Sequence, residues 1–146
     1  MYYIQSESSF DAAHFLKGYA GKCANLHGHR WRVVATLKGD SLTRSGENRD
    51  MLTDFGDLKA DLKDLTERFD HAFLVEKGSL MPETLRALEA EGFRMVYLPF
   101  RTTAERMAKY FFQQLSARGY SLREVSVYET PTNCAVYDGE EENRHA

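Results

Sequence analysis

The stretch "HRWRVVATLKG", residues 29–39, decides how the rest of the chain is read. Its β-branched and aromatic residues suit an extended strand on a pleated, half-buried surface. Upstream, "YYIQSESSF", residues 2–10, alternates apolar and polar side chains, the pattern of a strand with one face on a core. Between the two, "LKGYAGKCAN" (16–25) carries Gly18 and Gly21 and reads as a loop, so the strands can pair as antiparallel neighbours. Beyond the second strand, "GDSLTRSGENRDM" (39–51) is a long polar connection that returns the chain to the next element.

From there the period changes. Phe55, Leu58, Leu62, Leu65 and Phe69 recur at intervals of three and four, which predicts an amphipathic helix over 54–69 with Asp54 or Asp57 supplying negative charge at its start. "HAFLV" (71–75) is a short apolar piece. "PETLRALEAEG" (82–92) predicts a shorter helix with proline in its first turn and Gly92 past its end, and "FRMVYLPF" (93–100) is strand-like up to Pro99. "TTAERMAKYFFQQLSARG" (102–119) predicts a helix capped by Thr102 or Thr103, with Glu105 in its first turn and Gly119 at its close. "REVSVYETPTNCAVYDG" (123–139) finishes in strand alternation, and "DGEEENRHA" (138–146) reads as a frayed acidic tail. The order implies an α+β fold with antiparallel pairing at both ends, in a single domain spanning 1–146.

With 146 residues and 42% hydrophobic content, such a domain can bury a core without staples. A net charge of −3 offers no global basic field for nucleic acid or a membrane surface. The N-terminus lacks a basic leader before an apolar run, and no run of about 18 apolar residues occurs, so a cytoplasmic protein is expected. In that reducing setting Cys23 and Cys134 are expected as thiols.

Chemistry concentrates where the second strand begins. His27 and His29 are two apart on a strand and so share a face, and Gly28 between them permits close backbone approach. His14, in "FDAAH" at the end of the first strand, can join them by antiparallel pairing. Three histidines from neighbouring strands suit catalytic zinc, with a fourth position left open. Cys23 lies four residues before His27 and is either a fourth ligand, a reactive thiol, or a plain buried cysteine. Asp70 beside His71 is either an oriented proton-transfer pair or a coincidence at a helix end. Glu129 is either an inward carboxylate awaiting an amide or guanidine-like edge, or a strand-end residue facing solvent. Lys22, Arg30 and Arg32 lie near the histidines, but alternation puts Arg30 and Arg32 on the face opposite His29, as solvent-facing charge.

Taken in order, "FDAAH", Cys23-x-x-x-His27-Gly28-His29, "LTDFGDLK", "FDHAFL", "TTAE" and "YETPTNCAVY" resemble the 6-pyruvoyl-tetrahydropterin synthase superfamily, most closely its bacterial carboxy-tetrahydropterin synthase branch. The resemblance runs from His14 to Tyr137. It implies the tunnelling fold (T-fold): a four-stranded antiparallel sheet with helices on one face, closed by three subunits into a barrel and doubled into a homohexamer with active sites where subunits meet. By position it implies His14, His27 and His29 as ligands of Zn2+, Cys23, Asp70 and His71 as the catalytic triad, and Glu129 as the anchor of the pterin's 2-amino and N3 edge. Thr103 and Glu105 match further pterin contacts, whereas Thr102 stands where the family has proline. The implied substrate is a small pterin triphosphate, 7,8-dihydroneopterin triphosphate, processed in queuosine biosynthesis with loss of triphosphate and acetaldehyde. The three-residue interval between Cys23 and His27 matches the carboxy-synthase branch. A pyruvoyl-tetrahydropterin synthase and a non-catalytic zinc-containing pterin-binding protein are the alternatives. The segment from 76 to 98 is longer than in compact members.

Overall fold

The computed structural model describes residues 1–140. The remainder of the expected acidic tail, His145 included, lies outside the described residues. In chain order the elements are β1 (Tyr2–His14), β2 (His27–Gly39), α1 (Phe55–Glu67), β3 (Ala72–Glu76), α2 (Pro82–Ala90), β4 (Met95–Leu98), α3 (Ala104–Ala117), β5 (Leu122–Thr130) and β6 (Asn133–Tyr137), with a 3-10 turn at Lys22–Ala24.

The strands form one sheet in the order β4-β3-β1-β2-β5-β6. β1 and β2 pair antiparallel along their whole length, from Tyr2 opposite Gly39 to His14 opposite His27. β5 and β6 continue antiparallel beyond β2, whereas β3 joins β1, and β4 joins β3, in parallel. The sheet is therefore six-stranded and mixed, not four-stranded and antiparallel. Two local causes account for the difference. "HAFLV" is too short and too uniformly apolar for a period to show; it forms β3, with Ala72, Leu74 and Val75 buried. The last stretch is two strands, because the chain turns at Pro131 and Thr132, where Asn133 N donates to Thr130 Oγ1 at 3.1 Å. The parallel pair β3–β4 needs a crossover, and α2 lies within it.

Helices α1 and α3 pack on one face of the sheet, α1 over β1 and α3 over β5 and β6. Leu58, Leu62 and Leu65 of α1, and Met107, Ala108, Phe111 and Leu115 of α3, meet Phe10, Trp31, Val33, Val125 and Val127 from the strands. Phe10 stacks on Trp31 at 5.8 Å and touches Phe69 and Phe111 at 5.6 and 6.1 Å, so one aromatic cluster ties both helices to the central strands. Each such ring contributes about 1.5–3 kcal/mol through burial. Phe55 shares the helical spacing but stands at the first helical position and is exposed (58%). Asp54 caps α1 by accepting from Gly56 N at 2.7 Å. Thr103 caps α3 by accepting from Arg106 N at 3.2 Å. That leaves its neighbour Thr102 free for another role. No helix among the described residues is long and apolar enough to cross a membrane.

Candidate active site

The β1–β2 register sets His14 opposite His27 and Ala12 opposite His29. Because residues two apart share a face, all three imidazoles project on the face that carries Phe10 and Trp31, at one end of the sheet. One ring nitrogen from each lies within 4.8 Å of the others. Trp31 closes the cluster from below, its ring edge-on to His14 at 4.9 Å and to His29 at 5.7 Å.

Two of the rings are oriented by oxygens. His14 Nδ1 is 2.9 Å from the Thr102 carbonyl oxygen and 3.1 Å from Thr102 Oγ1, and His27 Nδ1 is 2.6 Å from the Asn25 carbonyl oxygen. A carbonyl can only accept, so each Nδ1 carries the proton and donates, and each Nε2 presents its lone pair. The Nε2 atoms of His14, His27 and His29 are all buried without a hydrogen-bond partner. Buried polar atoms are seldom left so. Three convergent lone pairs, two of them held by partners on the far ring nitrogen, fit a tetrahedral zinc site with one position free for water or substrate.

Glu129, on β5, faces the same cluster. Its Oε1 lies 3.2 Å from His14 Nε2 and 3.7 Å from His29 Nε2. A carboxylate at those distances favours a protonated ring, while the alignment at His14 Nε2 and His29 Nε2 is not that of a hydrogen bond. The close polar contact with His14 holds the Glu129 carboxyl below the usual carboxylate range; burial pushes it up, and the fields of His14, His29 and His27 lower it further. At His29 burial is the main influence and lowers the ring's pKa, Glu129 opposes it, and His14 and His27 add to the lowering. An ionised carboxylate thus stands beside the His29 imidazole, whose neutral form burial favours, the form that metal binding requires.

The other expected site residues lie elsewhere in the chain. Cys23 sits in the 3-10 turn, where its carbonyl accepts from Leu16 N at 2.9 Å. Its sulfur does not join the convergent histidine nitrogens, which speaks against a fourth ligand. Asp70 and His71 form their own pair, His71 Nδ1 lying 3.1 Å from Asp70 Oδ2. Asp70 accepts from Asp11 N at 2.9 Å, which holds its pKa down; burial opposes this, and His71 lowers it further. His71 itself donates its backbone N–H to the Asp11 carbonyl and sits at φ +57°, in the left-handed region that non-glycine residues seldom adopt. It is 79% exposed and borders a cleft of about 1030 Å³ shared with Asp11, Phe15, Arg30 and Phe73. Both hydrogen bonds run to the Asp11 backbone, so the pair is held at the edge of β1 that β3 joins. His29 borders the same cleft as His71.

Thr103 and Glu105 stand at the start of α3, Thr103 as its cap and Glu105 exposed in the first turn. Arg30 and Arg32 pair with Asp11 at 3.1 Å and Glu7 at 2.9 Å on the opposite face, as alternation expects. Thr102 is the residue that sequence reasoning missed. Its only signal was a second threonine beside a helix cap; it is 1% exposed and orients His14 with both its carbonyl and its hydroxyl.

The family model described as 6-pyruvoyl tetrahydropterin synthase matches residues 3–140. The chain is 38% identical to the 6-carboxy-5,6,7,8-tetrahydropterin synthase of Haemophilus influenzae, over 94% of this chain and 99% of that protein. It is 36% identical to the protein of the same name from Aquifex aeolicus, over 82% and 77%. Among solved structures, an uncharacterized protein from Wolinella succinogenes superposes with a TM-score of 0.82 at 22% identity, covering 95% of this chain and 98% of that one. The 6-pyruvoyl tetrahydropterin synthase of Plasmodium vivax superposes with a TM-score of 0.67 at 21% identity, covering 93% and 96%. Both structures share the T-fold architecture of helices against one face of a curled sheet.

Proposed function

The chain belongs to the 6-pyruvoyl tetrahydropterin synthase family of enzymes, and on that premise we propose that it converts 7,8-dihydroneopterin triphosphate to 6-carboxy-5,6,7,8-tetrahydropterin, releasing acetaldehyde and triphosphate in the queuosine pathway. The observation that carries this reading is the set of three buried, unpartnered histidine nitrogens beside an ionised glutamate. Relatives named for the carboxy reaction, and the three-residue interval between Cys23 and His27, favour it over the pyruvoyl reaction.

His14, His27 and His29 hold Zn2+ in this proposal. Zinc there supplies Lewis acidity toward the oxygenated side chain of the substrate. Glu129 accepts from the 2-amino group and N3–H of the pterin, two donors that suit a carboxylate held in its ionised form. Thr103 and Glu105 add contacts to the ring from the start of α3. Cys23 and the Asp70–His71 pair move protons to and from the substrate side chain, Asp70 orienting the His71 ring. The working site is completed where copies meet, in a homohexamer built as a dimer of trimers. A cytoplasmic setting suits the thiol of Cys23.

The deciding experiment incubates zinc-loaded protein with 7,8-dihydroneopterin triphosphate and measures product mass and acetaldehyde. Carboxy-tetrahydropterin with acetaldehyde supports the proposal. Pyruvoyl-tetrahydropterin without acetaldehyde assigns the pyruvoyl reaction instead, and absence of turnover assigns a binding protein.

A further inference from the structure

The short connection between β4 and α3, residues 99–103, carries a cation, Arg101, with no carboxylate partner among the described residues. Several arginines near the sheet have polar partners: Arg30 and Arg32 pair with Asp11 and Glu7, Arg118 with Asp61 and Asp64, and Arg94 donates to the carbonyls of Glu67 and Arg68. Arg101 differs from them. Its Nε is buried and has no hydrogen-bond partner, and among the described residues no carboxylate pairs with it. Its guanidinium lies 5.9 Å from the ring of Tyr19. A guanidinium cannot shed its proton, so a partly buried one with no acid among the described residues suits an anion from outside them.

Its place in the fold says which anion. Arg101 directly precedes Thr102, whose carbonyl and hydroxyl orient His14. Its neighbour Tyr19 belongs to the loop between β1 and β2, which also carries Cys23. The guanidinium is therefore set between the segment that orients the histidine cluster and the segment that bears the thiol. A substrate whose oxygenated side chain reaches the histidines has its triphosphate one carbon further along. The planar fork of arginine matches two oxygens of a phosphate.

Resting on the function proposed above, we propose that Arg101 recognises the substrate's triphosphate, distinguishing it from the unphosphorylated pterin. The test uses the zinc-loaded enzyme and its Arg101→Gln and Arg101→Lys variants. Steady-state kinetics are measured with 7,8-dihydroneopterin triphosphate, and binding of neopterin, which lacks phosphate, is followed by its fluorescence. The expected result is a KM for the triphosphate raised about 10- to 100-fold in Arg101→Gln, a smaller rise in Arg101→Lys, and unchanged neopterin affinity. Zinc content and native mass are measured alongside. An unchanged KM overturns the proposal, as does equal weakening toward both ligands or a loss of native mass, which assigns Arg101 to an intersubunit ion pair. A wild-type enzyme that turns over no triphosphate substrate overturns the functional reading itself, and this inference with it.

Discussion

Removing zinc and removing one histidine are expected to act on stability in separable ways. The histidine nitrogens already converge, and two rings are locked by Asn25 and Thr102, so binding needs little rearrangement. Zinc at one hundred times its dissociation constant then stabilises the fold by about 2.7 kcal/mol. For a chain of this size that raises Tm by about 5–10 °C. His27 is only partly buried, so His27→Ala should change the melting of metal-free protein by no more than about 1 kcal/mol while abolishing the zinc-dependent rise. His14 is fully buried against Trp31, and His14→Ala should cost about 2 kcal/mol or more even without metal. Differential scanning calorimetry of chelator-treated and zinc-reloaded samples, with metal analysis of each, makes the comparison. Retention of the full zinc-dependent rise in His27→Ala, or its absence from the wild type, refutes the assignment of these nitrogens as a ligand set.

Other outcomes follow from neighbouring residues. Cys23→Ala should keep zinc content and assembly but lose turnover, and release of the metal by this variant sinks the proton-transfer role. Thr102→Val removes one acceptor from His14 Nδ1 and keeps the carbonyl; competition with a chromophoric chelator should show zinc affinity lowered by about tenfold, and equal affinity shows that the carbonyl alone suffices. At the far end of the sheet, Tyr120 donates to Asp61 at 2.5 Å, and burial first, then that bond, push its pKa up to about 12. A raised folded-state pKa contributes stability that is intact below the ordinary tyrosine value of about 10 and is lost as pH rises through the folded value. Denaturant melts of Tyr120→Phe between those limits should therefore lack part of the wild-type alkaline decline, and identical slopes in the two proteins would exclude the linkage.

Much of the fold was legible because the long elements announce their own periods. The helical spacing of Leu58, Leu62, Leu65 and Phe69 and the alternation through β1 and β2 left little choice of element type. The parallel strands were not legible: β3 and β4 have five and four residues, too few to carry a period, and their pairing depends on a crossover rather than a hairpin. At the site, the two-residue spacing of His27 and His29 and the position of His14 sufficed to expect convergence, because strand register follows from alternation. Thr102 escaped notice because capping and histidine orientation ask for the same residue type, and only the position of the chain end of β1 decides which threonine does which. The lack of a partner for Arg101 Nε among the described residues was also hidden, since sequence shows a cation but not its surroundings.

The placement of Asp70–His71 at the β3 edge of β1, outside the convergent histidine set, has a consequence for inheritance. On the proposed assembly, a copy disabled at His27 still carries an intact proton-transfer pair, and a copy disabled at His71 still carries an intact metal cluster. Co-expressed, two dead alleles can lend each other the missing half, so that mixed oligomers regain a fraction of working sites that neither parent can form alone.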